Sequence, residues 1–205
     1  MSLVDRLKQK GIEVIENEPF LFGHFQQLYQ QLATQTCPHF DPQEIQARFK
    51  QLIQSDEELS SLDWGQCRFA AYESSQRLDG LLHPYAPTYC ALFAQGNVNG
   101  GPSGHVWLAT EVCGQTYITD IVGAGFYAKN FGFGPHYFDN DRIPFEEGYH
   151  DFAITTAHCS DQPLDIEDDD NAYSAMDKAQ DKLDDARERA GTLTLWESFV
   201  RWLRS

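Results

Sequence analysis

The sequence predicts an α+β protein: a helical N-terminal part, a core built from one helix and an antiparallel sheet, and helices again at the C-terminus. Three observations carry this. Apolar residues recur at helical spacing through residues 1–62. From Trp64 onward, short β-branched and aromatic runs are set apart by Gly, Asn and Pro. After an acidic stretch, helical spacing returns in residues 172–203. The 205 residues are 41% hydrophobic, enough for one domain with a real core. That domain is expected over 1–160, with 1–62 as a helical lead-in and 63–160 as the core, and 161–205 as an acidic linker and C-terminal helices.

In chain order, residues 3–16 read as a short amphipathic helix broken at Gly11. Residues 19–35 continue as a helix with Phe25, Leu28, Tyr29 and Leu32 on one side. Cys37-Pro38-His39-Phe40 is a break. Asp41-Pro42-Gln43-Glu44 has the form of a helix start, with Asp as N-cap and Pro at the first position; Ile45, Phe49, Leu52 and Ile53 are its expected buried stripe. Ser55 to Glu58 should cap a short turn leading to Leu59 and Leu62. Residues 66–80 fit one helix, packing through Phe69, Ala70, Tyr72 and Leu78.

Tyr89–Ala94 reads as a short strand, and Gln95–Gly104, with four glycines, as a loop or wide turn. Residues 105–112 and 115–122 are expected to form a hairpin around Cys113-Gly114. The glycine- and aromatic-rich stretch 123–148 reads as an irregular segment that walls a cleft or covers the sheet, and 151–157 as the last strand. Asp165-Ile166-Glu167-Asp168-Asp169-Asp170 lacks the glycine and twelfth-position Glu of a calcium loop, so it reads as a solvated linker. Thr194-Leu195-Trp196-Glu197 opens a last helix, whose stripe of Trp196, Phe199, Val200 and Leu203 must dock on something, a protein partner included.

Charge excludes some functions. Against 15 basic residues stand 31 acidic ones, a net charge of −16. This argues against nucleic acid and anionic membranes as partners. There is no run of ~18 apolar residues to span a bilayer. Met1 to Lys8 lacks a basic-then-apolar secretion signal. Five cysteines, odd in number, widely spaced and without a CxxC, predict neither a disulfide framework nor a zinc knuckle, and point to a reducing cytoplasm. Cys37-x-His39 and His158-Cys159 are too sparse for a metal site, so neither metal nor cofactor is expected.

The candidate chemistry lies between Trp64 and Gly125. A nucleophilic cysteine needs a favoured thiolate, a base to take its proton and a group to hold that base. Cys67 would sit in the first turn of a helix, where the dipole and free N–H groups favour an anion. His105 opens a strand, and Asp120 ends the next. With Cys113-Gly114 as the turn, 107 opposes 120 and 105 lies diagonal to it on the same face, within reach of a His–Asp hydrogen bond. Gln66 and Trp64 are candidates for binding an oxyanion or substrate, and Trp107, Tyr127 and Phe131 for the cleft walls.

Gly65-Gln66-Cys67, His105-Val106-Trp107 and Tyr117-Ile118-Thr119-Asp120 together resemble the transglutaminase-like branch of the papain-like cysteine enzymes. Asp120-Ile121-Val122-Gly123-Ala124-Gly125 and the triad spacing are also similar to the arylamine N-acetyltransferases, although Asp63-Trp64-Gly65-Gln66 stands where that family has Arg-Gly-Gly before its cysteine. The resemblance implies a papain/transglutaminase-like core and a Cys-His-Asp triad. Such a triad would act on an amide or thioester of a small molecule or protein, passing the acyl group to water or to an amine. The other reading is an acidic binding or regulatory protein that keeps the fold without the chemistry. Oligomeric state is not legible.

Overall fold

The computed structural model describes residues 31–62, 65–86, 88–98, 105–122, 135–140 and 149–160, the strand at 14–16, and single positions at 9, 28 and within 177–189. Asp41 opens the first long helix as its sequence predicts. Its carboxylate accepts from the N–H groups of Gln43 (2.9 Å) and Glu44 (3.4 Å), and Pro42 follows where no N–H is needed. This helix, α1 (Pro42–Ser55), buries Ile45, Phe49 and Ile53, one residue per turn. Leu52, expected in that stripe, lies on its flank and is 42% exposed. Asp56 then caps the single turn α2 (Glu57–Ser60), accepting from Glu58 and Leu59 N–H, both at 3.1 Å. Its other oxygen pairs with Arg77 at 2.8 Å, tying α2 to α3 (Cys67–Leu82).

Six strands form one sheet: β1 (Val14–Glu16), β2 (Tyr89–Val98), β3 (His105–Val112), β4 (Gln115–Asp120), β5 (His136–Asn140) and β6 (Tyr149–Cys159), in the order β1-β6-β2-β3-β4-β5. All neighbours run antiparallel except β1, which lies parallel to β6. With α1 and α3 packed on it, the fold is α+β. Cys113 and Gly114 both have positive φ, 50° and 75°, as a two-residue hairpin turn requires. The turn fixes the β3–β4 register, Leu108 opposite Thr119 through Val112 opposite Gln115. A Cβ at Gly114 would stand 3.2 Å from the Ala33 carbonyl oxygen, so the hairpin tip touches the helical residues 31–34.

Four expectations are corrected. The lead-in is not all helical: Val14-Ile15-Glu16 is a strand, because its backbone finds a partner in β6. The stretch 123–148 contains a strand, β5. Its regularity was hidden by the bulge at Phe138 (φ 65°), which breaks the alternation a strand would show. Gln95 to Val98, expected in a loop, instead extends β2. Four of the five cysteines pair, as Cys37–Cys113 and Cys90–Cys159. Cys90 and Cys159 are direct partners across β2 and β6, and Cys113 at the hairpin tip meets Cys37 after the lead-in helix. Contacts 69 and 76 residues apart in sequence leave no mark on spacing, and the expectation of a reducing compartment, which rested on unpaired cysteines, loses its ground.

The core lies between the helices and the sheet: Phe49, Ile53, Leu78 and Leu82 meet Tyr89, Phe93, Leu108 and Val112. Tyr117 stacks on Phe138 at 4.3 Å, with Phe40 edge-on to both. β3 is buried on both faces, Trp107 at 1% and Leu108 at 0% exposure, and residues 106–109 are accordingly all apolar. Among the described residues, no helix is long and apolar enough to cross a membrane. The acidic stretch 161–171 and the last helix, 194–203, lie outside the described residues.

Candidate functional site

Gly65, with φ at +98°, turns the chain into α3, a conformation that favours glycine. Gln66 takes the N-cap position without a side-chain capping bond, and the first intrahelical bond runs from Ala70 N–H to Gln66 C=O at 2.9 Å. The N–H groups of the first turn are therefore not used within the helix. Cys67, the first helical residue, is 9% exposed and is the one cysteine outside a disulfide.

The hairpin supplies the other two groups. His105 opens β3 and Asp120 closes β4. The His105 Nε2–H donates to Asp120 Oδ2 at 2.6 Å. Asp120 Oδ1 accepts from the Val122 N–H at 3.3 Å, which fixes the carboxylate from its other side. His105 also hydrogen-bonds Cys67. With Nε2 engaged by Asp120, Nδ1 is the ring nitrogen left for the sulfur. Trp107, two residues along, lies nearly parallel to the imidazole, 17° between planes and 6.4 Å between centroids. The side chains of His105 and Asp120 are 15% and 3% exposed.

Electrostatics follow from this line of three groups. Burial pushes the Cys67 thiol up, but the hydrogen bond and charge of His105, helped by the Val106 N–H, bring it below its ordinary value; Asp120 opposes from farther away. Burial alone would lower His105. The charge and hydrogen bond of Asp120, with Cys67 adding to both, outweigh it and raise the imidazole to about 10. The two shifts act in one direction, the lowered thiol and the raised imidazole each favouring the charged form of the pair.

Cys67, His105 and Asp120 thus stand together, and Trp107 stands beside them. Gln66 sits at the helix start, exposed. Trp64, Tyr127 and Phe131 lie outside the described residues. Sequence reasoning missed the backbone N–H groups of Val106 and Val122, since any residue supplies one. It also missed a second pair, His136 Nδ1 with Asp139 Oδ2 at 2.8 Å, whose aspartate accepts from Gln46 on α1 as well. His136 is the direct β4–β5 partner of Asp120. No protein-family model, curated protein or solved structure matches this chain.

Proposed function

We propose that the protein is a cysteine-dependent acyl-transfer enzyme acting on an amide or thioester, with Cys67 as nucleophile, His105 as acid and base, and Asp120 as the group that orients His105. The reading resembles the transglutaminase-like branch of the papain-like enzymes in chain order and in the elements that carry each group. One observation carries it: a thiol at a helix start, buried yet lowered, joined through one imidazole to a buried carboxylate. An inert core cysteine has no such chain behind it and is raised by burial.

In this mechanism the Cys67 thiolate attacks the substrate carbonyl carbon and the C=O electron pair moves to oxygen. The oxyanion is held by free N–H groups of the first turn of α3. Collapse expels the leaving group, an amine or thiolate, which takes the proton from His105. The resulting thioester is then attacked by water or an amine, which gives its proton to His105, and Cys67 leaves as thiolate. Asp120 keeps Nε2–H of His105 in place and stabilises the imidazolium without itself taking the proton. Both disulfides stay closed, with Cys67 as the working thiol.

The test is the rate of Cys67 alkylation against pH, followed by mass spectrometry of the modified peptide. The expected profile has its half-point below the ordinary thiol value and moves upward in His105→Ala. A half-point near ~8.5 that ignores His105→Ala would favour the non-catalytic binding protein instead.

A further inference from the structure

A chain of buried polar side chains beside the proposed nucleophile has no part in the mechanism above. Gln95 on β2 is the direct partner of Val106 on β3. Val106 is the residue whose backbone N–H reaches the Cys67 sulfur. Directly paired residues send their side chains to one face. Val106 packs in the core between the sheet and the helices, so Gln95 lies on the face of the sheet that α3 covers. A second, independent line gives the same place. Arg68, next to Cys67, pairs with Asp177, and Gln95 Nε2 donates to Gln180 Oε1 at 2.5 Å. Asp177 and Gln180 are three residues apart in a helical segment, hence neighbours ~5–6 Å apart on one face.

The direction of the amides is fixed. Gln180 Nε2 donates to Asp184 Oδ1 at 2.8 Å, and a carboxylate only accepts. The Gln180 oxygen must then face Gln95, which turns the Gln95 NH2 toward Gln180 and its carbonyl oxygen away. Gln95 is 0% exposed, and its Oε1 has no hydrogen-bond partner among the described residues. Buried acceptors are seldom left in that state unless a ligand or water completes them.

We propose that Gln95 is a substrate-binding residue whose Oε1 accepts an N–H from the group held at Cys67, so that the site takes carboxamides carrying an N–H rather than esters or thioesters. This rests on Cys67 as the nucleophile. The Gln180–Asp184 relay, supplied from the C-terminal helical segment, holds the acceptor in its orientation.

Two alkylating probes test it: iodoacetamide, which carries a carboxamide N–H, and N,N-dimethyl-iodoacetamide, which does not. Rates at Cys67 are each divided by the rate on free cysteine. The wild type is expected to favour the N–H probe by about tenfold, and Gln95→Met to reduce that ratio to about one. A wild-type ratio near one, or a ratio that survives Gln95→Met, overturns the proposal. If Gln95→Met does not fold, Gln180→Met decides. Freed from its anchor, Gln95 should lose the preference, and an unchanged ratio sinks the idea. The pH profile with the dimethyl probe reads the nucleophile separately. A lowered thiol with a flat probe ratio removes only Gln95. An ordinary thiol profile that ignores His105 removes the nucleophile reading and the substrate role of Gln95 with it.

Discussion

Two histidine–carboxylate pairs lie side by side across β3, β4 and β5. In one, His105 meets Asp120 at 2.6 Å; in the other, His136 meets Asp139 at 2.8 Å. Asp120 and His136 are direct partners in the sheet, so the pairs share one neighbourhood. Burial does not separate them, with histidine side chains 15% and 11% exposed. What differs is the third group. His105 faces a thiol at the start of α3, whereas the aspartate of the second pair is held by the Gln46 amide of α1. A His–Asp bond is therefore not the signature of chemistry here. In the proposed mechanism the first pair moves a proton to and from Cys67, whereas the second fastens α1 to β5.

The sharpest way to break that contrast is His105→Ala. Alkylation of Cys67 at pH 7 should fall by about 100-fold, since burial and the Asp120 charge then act on the thiol against the Val106 N–H alone. His136→Ala should leave the alkylation profile where it is. If the two substitutions act alike on Cys67, the distinction between the pairs is wrong.

Asp120→Asn comes next. It removes the charge that holds His105 at about 10, so the imidazolium should give up its proton at lower pH and the thiolate then loses its charged partner, a loss larger than the relief of the weaker Asp120 repulsion. About a tenfold drop in alkylation at pH 7 is expected, one pKa unit being tenfold. Stability should report the same group. The folded protein keeps the His105 proton up to about 10, while an unfolded histidine releases it near 6.5. Between those values the folded state binds more protons, so this contribution is full below ~6.5 and is lost as pH rises through about 10. Denaturant midpoints measured from pH 6 to 10 should fall more steeply for the wild type than for Asp120→Asn.

Cys90→Ala separates scaffold from chemistry. Opening a cross-link that spans 69 residues should cost roughly 2–5 kcal/mol of stability, read from urea unfolding. The half-point of Cys67 alkylation should not move. The smallest effect belongs to the second pair: His136→Ala should destabilise by roughly 1–2 kcal/mol through the stranded Asp139 carboxylate, with thiol reactivity intact.

Features that live within a few residues of one another were legible in the chain. Asp41-Pro42 and Asp56 announced their helices because a cap is a contact between a side chain and the next two or three N–H groups. Cys113-Gly114 set the hairpin, and a period of two then put residues 105, 107 and 120 on one face. Cys67 was placed at a helix start by Gly65-Gln66. Leu52 was misjudged because spacing defines a stripe only to within a flank. The strands β1 and β5 escaped because each is short and depends on a partner distant in sequence, and the Phe138 bulge erased the alternation of β5.

By itself, then, the sequence determined local geometry: which residues start helices, where the chain turns, and which side chains share a face. The tertiary structure alone decided which cysteines pair and which one stays a thiol, and whether the thiol meets the imidazole. It also decided that Gln95 is tied to Gln180 and, through it, to Asp184. The physical reason is range. Caps, turns and strand parity arise from bonds closed over a few residues, whereas a thiol, an imidazole and a carboxylate in line, with their buried polar neighbours, exist only where elements far apart in the chain exclude water together.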